Sequence, residues 1–320
     1  MRASTGARVC MNNEELLLSL VAAKSEQQVD RIVQKHPILS RDDNWKPYGN
    51  LRNNFGMIHN QQSHPVPALV EKPINSIDAI LTKECQLRMV DPESVAAPQS
   101  IREAVEKFFG LQGGDFSEVG DARRREVAEQ IQIIAEGERS QPNIIVYDNG
   151  EGQHPDDFEG TFVSLARANK LKIKFVQGKY NMGSTGVLPY CGERKYQLIL
   201  SRKSPELCGR GQGLFGFTLV RLHRASGCDV WKNSWYEYCV GEDGAVLSFR
   251  FDQPLDLGLH RRKFISGTYL KLLEFKFLAQ HEYPGRTQEK GVAQDDTLHE
   301  THPRRTRGDQ PPRGGRVSTE

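Results

Sequence analysis

No stretch of this 320-residue chain is long and apolar enough to cross a bilayer as a helix. The best candidate, Leu16 to Ala23, is short and follows Glu14 and Glu15, where an export signal carries positive charge. The expectation is a cytoplasmic protein with no membrane partner. The six cysteines (Cys10, Cys85, Cys191, Cys208, Cys228 and Cys239) include no C-x-x-C pair, which argues against a zinc ribbon. Without an export signal they read as reduced packing thiols. His59 and His64, five residues apart, suit a turn better than a shared metal. There is also no charge excess: 43 Lys and Arg against 41 Asp and Glu leave +2, so any nucleic-acid surface has to be local.

What is present fits a globular chain of one large or two modest domains, 37% hydrophobic and 26% charged. Residues 1–11 read as disordered, with Met11 an alternative start. Asn12 or Asn13 can cap a first helix, and Ser25 with Gln28 opens a second that ends near His36-Pro37. This amphipathic pair, the segment 1–41, is expected to serve packing or dimerisation. Residues 42–62 read as an ordered loop. A helix is expected over Ala68 to Leu81; Pro65 and Pro67 suit its first turn, although Pro73 interrupts its pattern and would favour a start near Leu69 or Val70. Ser100 with Glu103 caps a helix reaching Phe109. Asp121 to Glu138 and Asp156 to Ala168 read as further helices, and Asn143 to Tyr147 as a buried strand. Strands dominate afterwards: Tyr196–Arg202, Phe215–His223, Trp235–Val240, Val246–Phe251 and Thr268–Phe277. The order predicts an α+β fold, a two-layer sandwich with helices on one face of a mixed, mainly antiparallel sheet. Residues 281–320 are rich in Pro, Gly, Arg, Thr and Gln and read as a disordered tail.

Four signals stand in order along residues 42–280. Glu71, Asn75 and Asp78, followed by Ala79, fall on one helical stripe at i, i+4 and i+7. Asp148-x-Gly150-x-Gly152 follows a strand directly. Gly178 to Gly186, containing Lys179, Gly183, Ser184, Thr185 and Gly186, forms a glycine-rich loop. Gly267-Thr268 opens the last strand. These residue types suit one chemistry. A carboxylate can accept from an exocyclic amine, glycines let backbone N–H groups approach phosphates, and Asn75 offers a hard oxygen to magnesium. A second carboxylate can orient and deprotonate water.

The ordered set resembles the GHKL ATPase superfamily of DNA gyrase, the large heat-shock chaperones, histidine kinases and MutL mismatch-repair proteins. The resemblance implies a histidine kinase-like ATPase domain of the Bergerat fold, with ATP and Mg2+ as cofactors and ATP hydrolysis as the activity. It makes Glu71 the general base and Asn75 the magnesium ligand, with Asp78 ending that box. Asp148 would accept from the adenine amino group, Thr268 would help to hold adenine, and Gly150 and Gly152 would admit the nucleotide. Gly183, Ser184, Thr185 and Gly186 would belong to the phosphate lid. The long gap from Asn75 to Asp148 implies a helical insertion at about 85–140. Relatives take a γ-phosphate lysine from a second domain; here a partner or the lid's own Lys179 is the candidate source, the alternative being that no lysine is supplied.

The lid, 169–186, also carries Lys170, Lys172 and Lys174, and its Ile173, Phe175 and Val176 need a packing surface when it closes. A second protomer or the N-terminal helix pair could provide one, which would couple ATP binding to homodimerisation. The resulting switch could serve a DNA-processing partner in repair or phage defence. Two other readings are a non-catalytic ATP-gated interaction module and, less favoured, a histidine protein kinase with His36 as phosphoacceptor.

Overall fold

The computed structural model describes residues 12–115, 117, 119–165, 170–178, 185–208, 213–225 and 233–277. Residues 1–11 and the tail 281–320 therefore lie outside the described residues. Two short helices open the chain, α1 (Asn13–Ala22) and α2 (Glu26–Lys35). Asn12 caps α1 through a reciprocal pair of bonds with Glu15, and Ser25 accepts from the Gln28 amide. Next come β1 (Trp45–Pro47), α3 (Asn54–His59), the long α4 (Pro65–Leu87), α5 (Ile101–Phe109) and α6 (Asp121–Ala128). The other strands are β2 (Ile131–Glu136), β3 (Asn143–Asp148), β4 (Gln197–Arg202), β5 (Leu214–His223), β6 (Trp235–Cys239), β7 (Leu247–Arg250) and β8 (Gly267–Leu272).

These strands form one eight-stranded sheet in the order β1-β6-β5-β4-β8-β3-β2, with β7 also on β5. Every pairing among the described residues is antiparallel, in place of the mixed sheet expected. Alternate residues of β3 point to opposite faces. Ile144 and Val146 pack with Ala68 of α4, Leu272 and Phe275. Ile145 and Tyr147 pack on the other face with Leu16, Leu17 and Leu20 of α1 and Val29 and Val33 of α2. Helices thus cover both faces, which corrects the expected two-layer arrangement. The apolar stripe of α1 and α2 is consumed by this chain's own sheet, where it covers a face rich in Tyr, Leu and Phe.

Other expectations shift locally. Helix α4 starts at Pro65, in the first-turn position that proline suits, and runs through Pro73. Pro73 cannot donate to the Leu69 carbonyl, yet packing carries the helix past it. The helix expected over 121–138 ends at Ala128, and β2 follows, because Ile131, Ile133 and Ile134 gain a six-residue ladder on β3. The insertion at about 85–140 is therefore helical only up to Ala128. The helix expected from Asp156 is a 3-10 segment, Pro155–Gly160. The stretch 42–62, expected as loop, contributes β1 and α3.

Candidate functional site

Helix α4 runs beside the C-terminal end of β3, and several contacts fix their relation. Ser76 Oγ donates to Asp148 Oδ2 at 3.2 Å, and the Glu151 amide donates to the Ala79 carbonyl at 3.2 Å. Lys83 Nζ reaches the Asn149 carbonyl at 3.3 Å. A Cβ at Gly150 would stand 2.6 Å from Ala79 Cβ, so only glycine lets α4 approach this turn. Gly152 has φ +62, and a Cβ there would lie 1.9 Å from the Arg202 carbonyl oxygen.

Asp148 and Thr268 are direct partners in the β3–β8 ladder, and Thr268 and Ser201 are partners in the β8–β4 ladder. A polar row thus crosses three strands on the α4 face of the sheet. Asp148 is 6% exposed and Thr268 7%. Asp148 Oδ1 accepts from the Gly150 amide at 3.0 Å. Burial pushes the Asp148 carboxyl up to about 7; the bonds from Gly150 and Ser76 and the charge of Lys170 oppose that shift. Burial also raises Glu151, against the pull of Lys203 and Lys170.

On the flank of α4, Asp78 is fully buried and accepts from the amides of Gln177 (2.9 Å) and Gly178 (2.8 Å). Asn75 lies against the same backbone: a Cβ at Gly178 would be 2.7 Å from Asn75 Oδ1. Glu71 is half-buried one turn before Asn75. The structure therefore brings Asn75, Asp78 and Gly178 together, and separately Asp148, Gly150, Gly152 and Thr268, with α4 joining the two sets. Thr185 and Gly186 pack elsewhere, against the turn after α3. Thr185 Oγ1 donates to Gln61 Oε1 at 2.8 Å, and a Cβ on Gly186 would meet Gln62 Cγ at 2.9 Å. Lys179, Gly183 and Ser184 lie outside the described residues.

Ile173, Phe175 and Val176 are buried with Leu81 and Cys85 of α4 and Ala104 and Phe108 of α5. Their packing surface is the insertion of this same chain, which corrects the expectation of a second protomer or the N-terminal helices. His36 is 4% exposed at the C-terminal cap of α2, a poor position for receiving a phosphoryl group.

Sequence reasoning missed Ser76, whose hydroxyl meets Asp148, and Ser201. Ser76 falls on the sheet-facing stripe of α4 with Ala68 and Lys72, a periodic signal that could have exposed it. Ser201 carries no comparable local signal. Among the described residues no group of three or more His, Cys, Asp or Glu could hold a metal ion, and no helix is long and apolar enough to cross a membrane. Neither a scan against protein-family models nor a search of curated proteins gives a match for this chain.

Proposed function

We propose that this chain binds ATP with Mg2+ beside α4 and hydrolyses it, using nucleotide occupancy as a switch. The observation that carries the reading is the buried Asp148 carboxylate opposite Thr268, at a turn where α4 and β4 leave no room for a Cβ on Gly150 or Gly152. A buried carboxylate whose donors among the described residues are two neutral groups retains acceptor capacity, and an adenine amino group would use it. Asn75 supplies one neutral oxygen beside the 177–178 backbone, so phosphate oxygens and water would complete a magnesium shell. Bound Mg2+ would neutralise charge on the phosphates. Glu71, one turn away on the same stripe of α4, would orient and deprotonate the attacking water. The assignment to the GHKL superfamily and its Bergerat fold belongs to this proposal; the α4–β3 relation supports it.

Calorimetric titration with Mg-ATP, together with phosphate release, tests the reading. Saturable binding with Glu71-dependent turnover is expected, and no binding at millimolar ATP would overturn it. Binding without turnover would favour the ATP-gated interaction module. Repeating turnover with DNA, and measuring mass in solution with a non-hydrolysable ATP analogue, tests the DNA-linked and homodimeric forms of the switch.

A further inference from the structure

Ser201 has a directional hydrogen-bond environment. It is fully buried in β4. Its hydroxyl donates to the Gly267 carbonyl at 2.7 Å and accepts from the Gln153 amide at 2.9 Å. A serine hydroxyl has one proton and two lone pairs. With the proton committed to Gly267 and one lone pair to Gln153, a single lone pair is left. Thr268 Oγ1 stands 3.5 Å away, at the long limit of a hydrogen bond. Between these two hydroxyls Ser201 can only accept, so a bond between them has Thr268 as its donor.

That orientation decides what Thr268 shows to its other neighbours. Its remaining lone pairs face away from Ser201, on the side where its ladder partner Asp148 lies. Asp148, when ionised, is also an acceptor only, with Ser76 and Gly150 each using one of its oxygens. Two buried acceptors then stand side by side on neighbouring strands, with side chains about 5 Å apart at their Cβ atoms. A group carrying two hydrogens on one nitrogen satisfies both. A carbonyl oxygen in that place leaves both unpaired and faces them with like partial charge.

We propose that Ser201 is a positioning residue for base selectivity: it fixes the Thr268 hydroxyl as an acceptor, so that the Asp148–Thr268 pair takes a 6-amino purine and rejects a 6-oxo purine. The proposal rests on the reading of this site as a purine nucleotide site. It differs from a purely structural role in its outcome. Removing the Ser201 hydroxyl frees the Thr268 proton to rotate toward the ligand, where it can donate to a 6-oxo group. Selectivity relaxes, because binding of the wrong base improves.

The test compares ATP with inosine triphosphate, which has an oxygen where adenine has its amino group, by calorimetric titration of the full chain. Wild type is expected to prefer ATP by about tenfold or more, the scale on which a site built around a polar group rejects the analogue lacking it. Ser201→Ala should bring the ratio to within about threefold, chiefly by tighter inosine triphosphate binding, and Ser201→Thr, which keeps the hydroxyl, should restore it. Should Ser201→Ala fail to fold by circular dichroism, Ser201→Cys carries the same test, because its sulfur is a weak acceptor for the Thr268 proton. An unchanged ratio in the folded Ala or Cys variant, with wild type binding ATP, overturns the role of Ser201 alone. Wild type binding neither nucleotide overturns the nucleotide site and this inference with it.

Discussion

Asp148 and Thr268 sit opposite each other at the adjoining ends of β3 and β8, and the backbone beside them is as constrained as their side chains. Gly267, immediately before Thr268, has φ +98, and a Cβ there would lie 2.0 Å from the Asp148 carbonyl oxygen. The pair is held by a contact that only glycine permits.

The base assignment predicts a split between binding and turnover. Glu71→Ala should lower phosphate release about 10²–10⁴-fold while leaving the affinity for Mg-ATP within a few-fold of wild type. Single-turnover hydrolysis and calorimetry check this together. Turnover at the wild-type rate would remove Glu71 from the reaction.

Asp148 gives two pH dependences of opposite sign. Burial raises its carboxyl from the ordinary 3.8 to about 7 in the fold. The folded state therefore holds this proton more tightly than the unfolded chain, and stability falls as pH rises from about 4 to about 7. Accepting from a nucleotide needs the ionised form, so ATP affinity should rise over the same approach to pH 7 and level off above it. Asp148→Asn should flatten both profiles and weaken ATP binding. Thermal melting and titrations between pH 5 and 8 read both slopes.

Gly152→Ala should be among the most damaging small substitutions in the chain. It combines φ +62 with a backbone oxygen 1.9 Å from the new methyl group. Strain and overpacking together are expected to cost about 3 kcal/mol or more. Urea unfolding measures the loss. Gly113→Ala, at φ +61 with open space around it, should cost only the conformational part, about 1 kcal/mol.

Asp78→Ala removes the acceptor for two amides, Gln177 and Gly178. Amide exchange at both should accelerate, and stability should fall by about 2–4 kcal/mol, since bonds to a charged acceptor are worth more than neutral ones. Unchanged protection at 177 and 178 would show that this backbone is held by the Phe175 packing alone.

Which features the sequence revealed follows from the distance over which each is encoded. Glu71, Asn75 and Asp78 share a stripe because helical period is local, and the caps at Asn12, Ser25 and Ser100 are equally short-range. Asp148, Gly150 and Gly152 stand out because a turn after a strand declares itself in a few residues. Ser201 joins the same site through the β4–β8 and β8–β3 ladders and through its bonds to Gln153 and Gly267, all distant in sequence, and an isolated serine in a strand has no pattern to betray it. Ile131 and Ile134 fit a helical stripe as well as a strand, and pairing with β3 decided between them. The apolar stripe of α1 was plain, but no local rule says whether it meets its own sheet or another molecule.

Lys271 lies on β8 three residues after Thr268, fully buried on the opposite face. Its ammonium group donates to the Val21 and Ala23 carbonyls at the end of α1 (2.5 and 2.6 Å) and pairs with Glu136 of β2 at 2.7 Å. Shortening the chain to begin at residue 42 would therefore do more than trim an appendage. It would strand a cation in the middle of the sheet without two of its three oxygens, on the very strand that presents Thr268. The opening helix is in this sense an internal counter-ligand, and the smallest autonomous version of this protein has to include it.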